Sequence, residues 1–455
     1  MLNSRQAANL SFGYIVGTAS LAFVVSQLDV SIVNIALPSI AKAFSVSISS
    51  LQWIADAYTV AFAALMLSAG GMSDRLGSRH VFQSGLLLFG VASAGCGLAW
   101  SAGSLIAFRA LQGVGAATMI PSSLSLLNQA FAHEPEQRGR AVALWTMAGG
   151  VSIAAGPILG GLLLHVSSWR LIFIVNIPIC LVGLLMSSRL KESERHPHQG
   201  LDIPGQIMWM LALTFFITAI IEWHAKEIAR SLVLGFFVFS AVVMCGFLWF
   251  ERKARTAILP LDLFKAPVFN VLLLFGIIVN NAYYGTVFVL SLYLQNVLHY
   301  DVVGAGLAFL PLTGGFVISN IASGKLMAKY GIRLPLLLGS LLAAAGYAGL
   351  LVASPETPYW QLFVPFIVIP LGMGVAVPAM TTGILSSVEK TRSGTASAVL
   401  NTTRQAAGAM GVAIFGAMAG GGAAGIAAAV RVSGMISCGS LLVVAVLIYR
   451  YIWRK

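Results

Sequence analysis

Three ionisable side chains stand in stretches that are otherwise apolar. Asp29 lies in "SQLDVSIVNIALP", Asp56 in "WIADAYTVAFAAL" and Arg109 in "RALQGVGAATMIP". A charge at bilayer depth costs at least ~2.5 to 3.5 kcal/mol, so such a group faces a cavity or a partner and marks an ion path. Two carboxyls and a guanidinium are the parts of a proton relay, because burial favours the protonated carboxyl whereas a nearby Arg favours the ionised one. The same residues also suit a fixed Asp29–Arg109 salt bridge that pins helices, with Asp56 capping its own helix. The sequence leaves both open.

The elements that must position them are membrane helices. Of 455 residues, 58% are hydrophobic and 9% charged, against roughly 25% charged in an ordinary soluble domain. Apolar runs near the ~20 residues needed to cross a bilayer give fourteen candidate spans. They begin near Phe12, Ser50, Val81, Ser104, Gly139, Leu171, Pro204, Ser231, Val268, Val303, Leu334, Tyr359, Gly394 and Val432. The first run is too long for a secretory signal and is expected to be retained as a span. At 1.5 Å per residue, Asp29, Asp56 and Arg109 fall into one layer roughly 8 to 14 Å below the outer surface.

Charge orients the bundle. With the N-terminus inside, twenty of the 27 Lys and Arg residues fall in cytoplasmic segments and five (Lys42, Arg170, Lys226, Arg230, Arg431) in outer loops, so both termini are expected in the cytoplasm. The net charge of +12 then reflects topology and anionic lipid rather than nucleic-acid binding. The four cysteines lie in apolar runs without metal-ligand spacing, so neither disulfide nor metal is expected. A phosphate-binding Gly-Lys-Ser/Thr loop is missing. Energy must come from an ion gradient or from the substrate's own, with no cofactor. No catalytic constellation stands out, and the chain does not read as an enzyme.

The chain also repeats itself. "GGMSDRLGSR" (70–79) is echoed by "GKLMAKYGIR" (324–333), and "GRAVALW…AGPILGG" (139–161) by "GTASAVL…MGVAIFG" (394–416). The offsets of 254 and 255 relate spans two to five to spans ten to thirteen. The reading is an all-α polytopic protein of two six-helix halves, 1–195 and 257–455, joined by two extra spans in 196–256. Duplicated halves around a midplane site are how many secondary transporters are built.

With the motifs already quoted, "GGVSIAAGPILGG", "LDIPG", "PLDLF" and "NTTRQAAGAMGVAIFG" complete a set that resembles the major facilitator superfamily, in its fourteen-span drug:proton antiporter branch. The resemblance covers nearly the whole chain. It implies proton coupling or its support by Asp29, Asp56 and Arg109. It also implies a cytoplasmic latch of Gly70, Asp74, Arg75 and Gly77 that neighbours span thirteen, and an antiporter motif in span five carrying Gly150, Gly156, Pro157, Gly160 and Gly161. Plain-packing readings of the latch and of the glycines stay open.

Asn34, Tyr58, Trp145, Asn281, Tyr284, Asn320, Asn401 and Arg404 are the candidates to line a broad amphipathic pocket. Arg404 either faces that pocket and selects anionic groups or bonds to its own helix. Spans nine to fourteen hold no mid-membrane carboxylate. The expectation is a monomeric, proton-coupled inner-membrane exporter of small lipophilic compounds, cations among them, working by alternating access. Its partners would be protons, a small molecule and the lipid bilayer. The rivals are an exporter of one defined metabolite and, from another class, an intramembrane enzyme or scaffold.

Overall fold

The computed structural model describes residues 10–192, 202–224, 228–254, 259, 261–388 and 393–453, and all regular structure among them is helical. A first bundle comprises α1 (Phe12–Phe44), α2 (Ile48–Leu76), α3 (Ser78–Gly97), α4 (Ala102–Ala130), α5 (Pro135–Val166) and the pair α6 (Leu171–Ile174) and α7 (Asn176–Ser187). A hairpin follows, α8 (Ile203–His224) and α9 (Arg230–Glu251). A second bundle holds α10 (Pro267–Leu292), α11 (Val302–Ala308), α12 (Leu310–Tyr330), α13 (Arg333–Ala348), α14 (Tyr359–Ser386), α15 (Ser393–Ala417) and α16 (Gly422–Ile448). Among the described residues ten helical segments are long and apolar enough to cross a membrane, and α5 makes an eleventh when its two arms count as one. This is a multi-pass membrane protein.

Local signals explain several boundaries. Ser11 caps α1 by accepting a hydrogen bond from the Tyr14 amide, and Ser101 with Ser104 forms a capping box at the start of α4, so donors left free at helix starts are satisfied. Gly77 ends α2 at φ +96° and Gly331 ends α12 at φ +66°, a conformation that side chains disfavour. The two glycines stand 254 apart, so the sequence repeat is a repeat of backbone conformation. Pro157 bends α5 by 42° and leaves the Ile153 carbonyl without its helical donor. Ser31 of α1 supplies one at 2.8 Å.

One expectation fails here. Helix α16 begins at Gly422, ten residues before the expected Val432, so Arg431 lies on a helix, exposed, and not in an outer loop. The cause is "GGGAAGIAAAV", a run of small residues read as a connection although alanine is the strongest helix former. Span six begins at Leu171, as expected, and consists of α6 and α7, which meet at Val175.

Buried aromatic side chains hold the first bundle together, among them Tyr58, Phe62, Phe82 and Phe89. The second packs around Phe269, Phe275, Phe288 and Tyr347. Helix α8 lies across the seam between them: Leu213, Ile217 and Ile221 pack with Val60 and Ala63 of α2 and with Ala406, Ala409 and Ala413 of α15. Trp209 donates to the Ala63 carbonyl at 3.4 Å, and Trp53 of α2 donates to Glu222 at 3.2 Å. Glu222 thus ties the hairpin to α2. Helix α9 turns large apolar side chains such as Val238 and Val242 outward, as a lipid-facing helix must.

Candidate functional site

Asp29 and Arg109 meet. An Arg109 Nη1–Asp29 Oδ2 ion pair of 2.5 Å joins α1 to α4, with both side chains buried. Asn176 of α7 donates to Asp29 Oδ1 at 2.8 Å, and Gln112 of α4 donates to it at 3.3 Å. Arg109 donates from Nε to the Ile54 carbonyl of α2 at 3.0 Å and from Nη1 to Gln112 Oε1 at 2.8 Å. Gln112 in turn donates to Ser93 of α3 at 2.7 Å. The guanidinium also lies 4.6 Å from the centre of the Tyr58 ring, where a cation is favoured by the ring's negative face. A buried ion pair survives desolvation only when its remaining lone pairs and protons are hydrogen-bonded, and five helices converge here to do that. Ser93, Gln112 and Asn176 were not foreseen: amides and hydroxyls in apolar runs carry no spacing that announces their partner.

Asp56 takes no part in that network. It is buried, and neither carboxyl oxygen has a protein hydrogen-bond partner. It lines a narrow cavity between the bundles with Val30, Asn34, Thr59, Arg109, Tyr284 and Gln405. Arg109 therefore stands between the two carboxyls, bound to Asp29 and facing the space that Asp56 faces. A second lobe, sharing Val30, Asn34 and Tyr284, is walled by Gln27, Ser31, Ile153, Tyr283 and Val287.

Of the eight candidate ligands, Asn34 and Tyr284 line both lobes. Tyr58 is fully buried with its hydroxyl 2.6 Å from Ser26. Trp145 stacks on Phe23 at 4.1 Å and donates to Ser123 at 3.1 Å. Asn281 donates to the Ala407 carbonyl at 3.4 Å, inside the second bundle, and Asn401 donates to Ser397 of its own helix at 3.4 Å. Asn320 is exposed on α12. Arg404 points its stem at α10, where a Cβ on Gly276 would lie 3.7 Å from its Cγ. Gln27, Thr59 and Gln405 face the cavity although the sequence did not single them out as ligands.

The latch residues are only partly visible. Arg75 is exposed, and Gly77 lies against Glu192, whose carboxylate accepts from the Arg79 amide at 2.9 Å. The surroundings of Gly70 and the side chain of Asp74 lie outside what is described, as do His196 and His198 and the proposed boundaries at 195/196 and 256/257.

The bundles touch at one end. Pro38 in α1 strips the Asn34 carbonyl of its helical donor, and Ser291 of α10 donates to that carbonyl at 2.5 Å. Gln295 donates to Ile35 O at 3.1 Å, while Gln52 of α2 donates to Val412 O at 3.1 Å and Ala413 O at 2.8 Å. Small residues complete the contact: a Cβ on Gly306 of α11 would lie 2.5 Å from the Pro157 carbonyl, and one on Gly161 would lie 3.0 Å from Val302 O. Close approach of backbones in lipid depends on such residues. The other glycines of the span-five motif divide. Gly156 and Gly160 pack against α1, and Gly150 touches nothing within 4 Å. At the opposite end Met147, Ile318 and Ile321 are 56%, 67% and 62% exposed.

Gly306→Val is expected to prise the closed end apart. Overpacking costs about 1 to 3 kcal/mol, or about fivefold to 150-fold in a two-state equilibrium. Labelling of a Gln295→Cys probe by a membrane-impermeant maleimide should rise accordingly, and unchanged labelling would contradict the contact.

Two helical bundles that meet at one end over a cavity with buried ionisable groups define a membrane carrier. The family model of the Major Facilitator Superfamily matches residues 19–412, and the chain belongs to that superfamily of transporters. It is 35% identical over 399 residues to the methylenomycin A resistance protein of Bacillus subtilis (strain 168), covering 87% of this chain and 85% of that one. It is 36% identical over 425 residues to the puromycin resistance protein pur8 of Streptomyces alboniger, covering 91% and 82%. Among solved structures, a bacterial homolog to the human lysosomal transporter Spinster, in an inward-facing and unoccupied conformation, superposes with a TM-score of 0.70 at 17% identity. That alignment covers 97% of this chain and 96% of the other, a likeness of fold.

Proposed function

We propose that the chain is a proton-coupled exporter of small lipophilic drugs, of the fourteen-span drug:proton antiporter branch, working by alternating access as a monomer. The resistance names borne by its relatives support the substrate class. The observation that carries proton coupling is Asp56, a buried carboxyl without a protein partner on the wall of the cavity between the bundles. In this reading Asp56 is the carboxyl that takes up and releases the proton, and Arg109, on the same cavity wall, helps to release it when the cavity rearranges. Asp29, tied to Arg109, sets where that guanidinium stands.

In this reading α2, the α6–α7 pair and α15 complete the spans to fourteen. The bundles are the two halves, 1–195 and 257–455, and α8–α9 is the linker hairpin of 196–256. The open end carries Arg75, Arg79, Arg189, Lys191, Lys325 and Arg333, which makes it cytoplasmic under the positive-inside rule. Both termini then lie on the cytoplasmic side of the inner membrane, the cavity opens inward, and the closed end is the outer gate.

The test is ethidium efflux from cells expressing the chain. Efflux should stop on addition of a protonophore, and efflux that continues undiminished would overturn the coupling.

A further inference from the structure

Arg404 is the second cation inside the bundles, and the Asp29–Arg109 network does not use it. Its Nε is sealed from solvent with no hydrogen-bond partner, while the side chain as a whole is half-buried. No Asp or Glu occurs within α10 to α16, and among the described residues Arg404 forms no ion pair. Beside it is Gly276, which gives its stem room, and the Tyr284 and Gln27 side chains line the adjoining lobe of the cavity. The neighbouring Gln405 lines the cavity, as does Gly408 one turn on. Arg404 thus lies roughly 6 Å nearer the open end than Gly408, at 1.5 Å per residue. Arg404 lines neither lobe itself, but residues four apart share a helix face, so it lies on the Gly408 face of α15, on the side of the open end.

A buried guanidinium N–H without an acceptor is costly, and the guanidinium fork matches a carboxylate in geometry as well as charge. The two aromatic rings beyond it, Tyr283 and Tyr284, suit a flat apolar body. We propose, resting on the exporter reading above, that Arg404 anchors the substrate's acidic group, so that the preferred cargo is a lipophilic aromatic compound bearing a carboxylate. A permanently cationic drug finds only one carboxyl on the cavity wall, Asp56, and there it competes with the proton. The neutral or zwitterionic acid has no such conflict: its anion takes Arg404 and leaves Asp56 to the proton.

The matched probes are rhodamine B, which carries a free carboxylate, and its ethyl ester, which does not. Both are offered to the full-length protein in proteoliposomes under an imposed pH gradient. Wild type should take rhodamine B with a KM about tenfold below that of the ester, and Arg404→Gln should raise the KM for rhodamine B about tenfold while leaving the ester within about twofold, as the loss of a charge-assisted pair requires. Ester transport by the variant doubles as its folding control. If Arg404→Gln is inactive towards both probes, Arg404→Lys decides: retained preference for the acid supports the anchor, and loss of both substrates overturns it. Equal effects on the two probes, or none on either, overturn it as well. Should neither probe respond to the gradient in wild type, the exporter reading fails. The inference is then judged by fluorescence anisotropy of the two probes on the purified protein, where equal affinities sink it.

Discussion

Replacing Asp56 by asparagine is expected to reduce gradient-driven drug transport in proteoliposomes to the level of empty vesicles, while exchange of substrate across the membrane without a gradient persists. The amide is close to isosteric with a protonated carboxyl. Because neither oxygen of Asp56 bonds to the protein, the substitution breaks no interaction and should leave the melting temperature near that of wild type. It removes only the capacity to give up a proton. Exchange needs the bundles to rock with substrate bound and does not need a proton to leave, so the two assays separate a coupling defect from a binding defect. The opposite pattern, coupled flux intact in Asp56→Asn and lost in Asp29→Asn, would return the proton to Asp29. It would also require Arg109 to let go of Asp29 in another conformation.

The sequence made the membrane helices and the meeting of Asp29 with Arg109 legible, because hydropathy and a rise of 1.5 Å per residue fix depth. Depth alone does not fix azimuth. Asp56 shares the layer but points to the cavity, and only the packing of α2 against α4 and α15 decides that. The same limit hid Asn176 and Gln112, whose amides act on Asp29 from two further directions. The prolines were visible in the sequence, and each promised a carbonyl in need of a donor. That Ser31 would serve Ile153 and that Ser291 would serve Asn34 are tertiary facts with no local signature. Conversely, the positive φ at both Gly77 and Gly331 follows from a repeat that could be read directly. Arg431 was misplaced because alanine and glycine runs look alike to a hydropathy scale, although one residue favours a helix and the other opposes it.

Arg109→Ala is the substitution expected to damage the fold most. It would leave Asp29 ionised and buried with only the amides of Asn176 and Gln112 to meet it, and it would empty the space beside the Tyr58 ring. Removing one partner of a buried pair costs about 3 to 5 kcal/mol, so the thermal unfolding midpoint in detergent should fall sharply. Asp29→Asn should cost less, because Arg109 keeps the Ile54 carbonyl and Gln112 as acceptors. The double variant Asp29→Asn with Arg109→Gln removes both charges and should recover much of the loss, since neutral partners of similar size no longer carry the desolvation cost. That non-additivity is the measurement. If Arg109→Gln and Asp29→Asn, measured singly, destabilise by amounts that sum to the loss in the double variant, the pair is not coupled and cannot hold the guanidinium beside the cavity. If they couple as expected, and the double variant still exchanges drug but no longer responds to a pH gradient, the ion pair sets the position from which Arg109 drives the proton off Asp56.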